Sequence, residues 1–189
     1  GALFPMNAWD YPTWAAATGV AVAVAAAVPH ARSPFRTRAL VAIAGLAAML
    51  AASRLLFEPF YASYVQPFGA LVPWTGSRTG LLPYLQVHGL FLALIVSACV
   101  VAVRRRPWRD LWPPAALPLV ATVGLLAVLG VTLTATVEVV ALQGDGGRMN
   151  SVFKLYLQAW VLLSIAAAGA VGQPTFRIPI SIFPIACSK

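Results

Sequence analysis

Five stretches of this chain are apolar for long enough to cross a bilayer, which removes most folds otherwise open to it. A transmembrane helix needs about 20 mostly apolar residues, with some tolerance below that where flanking Arg or Lys can snorkel. The stretches run from about Pro12 to Val28, Ala39 to Phe57, Leu81 to Val103, Leu117 to Val137 and Val152 to Val171, the second with Arg54 near its end. Sixty per cent of residues are hydrophobic and 10% charged, with a mean hydropathy of +0.83. Soluble domains hold roughly 45–50% and about 25%, so a soluble globular domain and a disordered chain are both excluded. The expected fold class is all-α, a polytopic integral membrane helix bundle of about five transmembrane helices.

Charge gives the expected orientation. The formal net charge is +8, but the basic residues sit in short clusters between apolar runs, with no basic face on a soluble element, so no nucleic-acid partner is expected. The connections after the first and third stretches hold Arg32, Arg36, Arg38, Arg104, Arg105, Arg106 and Arg109. The other side holds Arg54, Arg78, Arg148 and Lys154. By the positive-inside rule, the N-terminal stretch and the loops 58–80 and 141–150 face away from the cytoplasm. Asp10, Glu58, Glu138 and Asp145 fall on that side, and Asp110 on the other. The protein is thus expected in a cell membrane, multi-pass. Loop 58–80 is rich in Pro, Gly and aromatic residues, which suits a segment lying at the headgroup level.

Cys99 and Cys187 make neither a disulfide framework nor a metal-ligand spacing. The opening residues carry no initiator Met and no signal-peptide pattern, so the chain reads as a piece of something longer. After about Gly172 the composition shifts: Ile178, Ile180, Ile182 and Ile185 crowd together, against only Ile43, Ile95 and Ile165 before, and Pro174, Pro179 and Pro184 break any helix. The expected organisation is a membrane bundle over 1–172 and an atypical, non-native-looking tail over 173–189.

Three constellations could carry chemistry. Asn7, Trp9, Asp10, Tyr11 and Pro12 gather at the outer mouth of the first stretch. Asp10 reads either as a helix cap beside an interfacial Trp or as a carboxylate held at a dry interface, a general base or cation ligand. A Gly-rich turn then leads into Arg148, Asn150, Ser151 and Lys154. At 100° per residue Ser151, Lys154 and Gln158 share one helical face, with Phe153, Tyr156 and Trp160 roughly opposite. Arg148 and Lys154 at a helix start suit a phosphate, and they equally suit snorkelling anchors beside a flexible turn. Tyr84, Gln86 and His88 form the third group, with His88 either bonding across helices or contacting a phosphate or hydroxyl. Glu58 and Glu138 have no partner legible in the sequence. Arg104–Arg106 is a topology signal with a small anionic-lipid alternative. Serine-hydrolase, zincin, redox and dinucleotide-loop signatures are missing.

The segments GALFPMNAWDYPT (1–13), GLFLAL (89–94) and RMNSVFKLYLQAW (148–160) resemble the YYY-domain family of polytopic membrane proteins, over roughly residues 1–172. That family is similar to the GT-C membrane glycosyltransferases, which take sugars from polyprenyl-phosphate carriers at the outer membrane face. The aromatic motif that names the family, and the early external loop where such enzymes hold a catalytic carboxylate, would lie upstream of Gly1. The resemblance implies a polyprenyl-phosphate sugar and membrane lipid as partners. Arg148 and Lys154 would hold the phosphate; Asn150, Gln158, His88, Asn7 and Trp9 would complete the donor site, and Asp10 would act on an acceptor hydroxyl unless an upstream base does so. A divalent metal could sit near the carboxylates, but their spacing does not argue for one, and no cofactor is expected. Two other readings stay open: a transporter or flippase-like protein with Lys154, Gln158 and His88 along its path, and a structural subunit whose polar residues serve only helix packing.

Overall fold

A computed structural model describes residues 10–27, 33–65, 69–105, 117–144 and 148–172. Its elements in chain order are α1 (Asp10–Ala27), α2 (Phe35–Leu55), α3 (Glu58–Ser63), β1 (Leu71–Pro73), α4 (Leu81–Arg105), α5 (Leu117–Val139), β2 (Val140–Leu142) and α6 (Met149–Val171). The tail over 173–189 lies outside the described residues, as do Asn7, Trp9 and Asp145.

Long helices are what an apolar solvent demands, because every backbone N–H and C=O must be satisfied within its own segment. The hydroxyls inside them follow the same rule. Thr18, Thr122 and Thr136 donate to the carbonyls of Trp14, Pro118 and Thr132 one turn back, at 2.7–2.8 Å. Among the described residues α2, α4, α5 and α6 are long and apolar enough to cross a membrane, one helix fewer than the five expected. Helix α1 falls short because its 18 residues open on Asp10, Tyr11, Pro12, Thr13 and Trp14 and continue largely in Ala, which adds less hydropathy than Leu or Val.

Burial is uneven, and it singles out α6. The apolar window of α6 is 44% buried, against 6% for α2 and α4 and 17% for α5. Ala159, Leu162, Leu163, Ala166 and Ala167 form its core face, all nearly inaccessible, while Leu40, Val41, Leu90 and Val128 on the other helices stay exposed. In water such exposure would be untenable; in lipid it is the expected outward face. Helix α6 packs most extensively against α5, then against α4, and also touches α1. The α5–α6 seam is close because small residues line it. A Cβ placed on Gly130 would stand 2.9 Å from Leu163 Cγ and 3.4 Å from the Ala159 carbonyl oxygen.

The chain crosses up and down, so the start of α1, the end of α2, the starts of α4 and α6 and the end of α5 share one end of the bundle. Two features there were not expected. Loop 58–80 is partly structured, holding α3 and β1. Strand β1 pairs antiparallel with β2, in the register Leu71 with Leu142, Val72 with Ala141 and Pro73 with Val140. The Trp74 N–H extends the ladder to the Val139 carbonyl at 2.9 Å. Just beyond β2, Gly144 has a φ of 88°, in the left-handed region that favours glycine.

Gly130→Leu should overpack the α5–α6 seam and destabilise the protein by about 1–3 kcal/mol. Gly124→Ala, where a Cβ meets nothing within 4 Å, should be near neutral. Thermal unfolding of both variants in detergent is the check, and equal losses would contradict the packing described.

Candidate functional site

The polar residues at the shared end form two networks on different sides of α6. The first is built from the β1–α4 loop, the end of α5 and the start of α6. Arg148, on the turn before α6, directs Nη1 to Glu138 Oε2 at 2.7 Å and to the Val137 carbonyl at 3.1 Å, and Nη2 to Thr79 Oγ1 at 2.7 Å. The Thr79 backbone N–H donates to Glu138 Oε2 at 3.0 Å. The Tyr156 hydroxyl lies 3.2 Å from Thr79 Oγ1 and 3.3 Å from Glu138 Oε1. Trp74 completes the cradle, with the Arg148 guanidinium carbon 5.7 Å from its ring centroid.

These contacts follow from the local fold. The β1–β2 ladder ties the loop before α4 to the end of α5, so Thr79 comes over Glu138 although they are far apart in sequence. The side chains of Arg148 and Glu138 are only 10% and 23% exposed, so their attraction is screened less than that of a surface pair. The exposed Arg54–Glu58 pair, one helical turn apart, is the contrast.

Deeper along α6, Tyr156 meets α4. Its ring packs edge-on against His88 at 4.9 Å and against Tyr84 at 6.2 Å. The Tyr84 hydroxyl lies 3.1 Å from Thr134 Oγ1, and that Thr hydroxyl also lies 2.8 Å from the Val131 carbonyl. His88 is fully buried, and neither ring nitrogen has a hydrogen-bond partner.

The second network joins α1 to α6. Gln158 donates through Nε2 to Asp10 Oδ1 at 2.6 Å, and its Oε1 accepts the Thr13 hydroxyl. Thr13 and Gln158 are both buried. Tyr11 extends the contact to α2, its hydroxyl 3.0 Å from Ser53 Oγ.

The residues expected to form one site are therefore divided. Asp10 and Gln158 come together on the α1 side, Arg148 and His88 lie on the α4–α5 side, and Asn150 and Lys154, both half-buried, sit on the first turns of α6. The polar stripe of Ser151 and Gln158 does face inward. Four participants escaped the sequence reading: Glu138 as the partner of Arg148, Thr79, Trp74, and Tyr156 as a polar member rather than an apolar-face residue. Only the placing of Glu138 on the same side as Arg148 hinted at the pair. No group of three or more His, Cys, Asp or Glu placed to hold a metal occurs among the described residues.

Removing one partner of a shielded ion pair strands the other. Arg148→Ala should therefore destabilise by about 2 kcal/mol, and a double-mutant cycle with Glu138→Ala should return a coupling of about 1–3 kcal/mol in thermal unfolding; additive effects would mean the pair is not formed. On the other side, Gln158→Glu sets a second carboxylate against Asp10. It should loosen α1 from α6, measured as faster hydrogen exchange in α1, and unchanged exchange would contradict the contact.

No curated protein and no solved structure matches this chain. The family described as "Uncharacterized membrane protein (DUF2298)" matches residues 1–125 and 108–163. With its apolar helices and a match over most of its length, the chain is a multi-pass integral membrane protein and belongs to the DUF2298 family.

Proposed function

We propose that this bundle is part of a membrane glycosyltransferase that takes a sugar from a polyprenyl-phosphate carrier at the non-cytoplasmic face. One observation supports the reading above others: Arg148 is fixed by Glu138, Thr79 and the Val137 carbonyl, yet these contacts use only three of its N–H groups. A guanidinium has five. The Nε–H and the remaining Nη2–H are left to donate to phosphate oxygens without the side chain having to reorganise, and Lys154 stands six residues along the chain.

In this reading the bond from the anomeric carbon to the phosphate oxygen breaks, and the phosphate keeps the electron pair. Arg148 and Lys154 stabilise the charge that develops there. The acceptor hydroxyl attacks the anomeric carbon and gives its proton to a base. Asp10 suits that step only where an acceptor reaches within about 3 Å of its carboxylate. Asn150, with Asn7 and Trp9, would orient the donor, while Gln158, bonded to Asp10 and Thr13, and the fully buried His88 hold the helices around it, and lipid-facing grooves take the prenyl chain.

A transporter reading has one observation in its favour, the buried and unpartnered His88 between Tyr84 and Tyr156. Photo-crosslinking of a polyprenyl-phosphate sugar to membranes holding the protein separates the two. Lys154→Gln, and the paired Glu138→Gln/Arg148→Gln variant that avoids a stranded charge, should each cut labelling at least tenfold at matched folded amounts. Labelling equal to wild type would remove these residues from a donor site.

A further inference from the structure

At the opposite end of the bundle, the last turns of α1 and the first turns of α2 line a crevice of about 420 Å³. Its lip is polar, with Ser33, Thr37 and Arg38, and its wall is apolar, with Val22, Ala26 and Ala42 among the lining residues. We propose that this crevice binds an anionic phospholipid, with the headgroup phosphate on Arg38 and an acyl chain along the α1–α2 wall.

Three features of this end call for an anion. Arg38 Nε and Nη1 are buried without any hydrogen-bond partner. Burying these N–H groups without an acceptor is costly, and the Phe35 ring, 5.9 Å from the guanidinium carbon, offers only its π face. Secondly, the start of α2 is uncapped. Its N-cap is Pro34, with no side-chain cap hydrogen bond and no acidic residue in the first turn, so the positive end of the helix dipole is not offset from within the chain. Thirdly, Arg36 and Arg38 add two cations to that same positive end, where a basic residue is normally disfavoured. A phosphate on Arg38, within reach of the Ser33 and Thr37 hydroxyls, answers all three.

The apolar wall selects the source of that phosphate. Free phosphate would leave Val22, Ala26 and Ala42 facing nothing, whereas a phospholipid presents its charge and its chain in the order of the lip and the wall. The site is also at a helix end, the depth at which headgroups lie.

The test uses the full chain in phosphatidylcholine nanodiscs with and without phosphatidylglycerol, reading retained lipid by native mass spectrometry and melting temperature by fluorescence. Phosphatidylglycerol should be retained preferentially and raise the melting temperature. Arg38→Gln should weaken retention at least fivefold. Ala42→Phe, which fills the wall and leaves every charge in place, should weaken it comparably and decides the matter should Arg38→Gln fail to fold. Retention unchanged in Ala42→Phe, or in a folded Arg38→Gln, would overturn the proposal. Inorganic phosphate stabilising the protein in pure phosphatidylcholine as well as phosphatidylglycerol does would overturn the lipid assignment.

Discussion

Everything in this bundle is arranged around a helix that is apolar enough to enter lipid yet carries polar side chains that lipid will not solvate. Helix α6 resolves the conflict by being enclosed. Its small residues, Ala159, Ala166, Ala167 and Ala170, admit neighbours closely, and Gly130 on α5 has no side chain to hold the two backbones apart. Because no hydrophobic drive separates protein from lipid tails, this close fit and the hydrogen bonds between helices are what hold such helices together. The polar groups of α6 then act as attachment points: Gln158 takes α1 through Asp10 and Thr13, and Tyr156 takes the β1–α4 loop through Thr79.

Placing the charged pair at one end has a physical reason. Near the bilayer centre each charge would need full compensation, while near a helix end water and headgroups share the cost. Glu138 and Arg148 sit at such ends, paired with each other and braced by Thr79. Their pairing changes what Arg148 can do. A lone guanidinium beside a Gly-rich turn would be a mobile positive charge. Held by a carboxylate, a carbonyl and a hydroxyl, it is a fixed donor of lower net charge, better suited to placing a ligand than to attracting one. The phosphate-binding role proposed for it rests on that fixed geometry.

The two ends of the bundle treat cations differently. At the Glu138 end, Arg148 and Arg54 each have a carboxylate. At the end where α2 begins, Arg38 has none among the described residues, and the helix it opens lacks an acidic first turn. Arg148 is thus satisfied by the protein, and Arg38 is left for its surroundings.

The sequence alone determined the class of fold, because the length and apolarity of the helices are set by the solvent they must enter and not by their neighbours. It also fixed which residues share the inner stripe of α6, since Ser151 and Gln158 follow from helical periodicity. It placed the Asp10, Arg148 and Glu138 side chains toward the same end of the bundle, because successive spans must reverse direction. What only the tertiary structure decided was pairing. Glu138 meets Arg148 because the β1–β2 ladder fixes the chain between them, and strands of three residues carry too little periodic pattern to be read in advance. Tyr156 lies opposite the polar stripe by helical angle, which reads as an apolar face, yet α4 and the Thr79 loop close over that side and give its hydroxyl a carboxylate and a threonine. Asp10 and Arg148, both placed on the outer side by the sequence, are held apart because Asp10 bonds Gln158, ten residues or about 15 Å along α6 from Arg148.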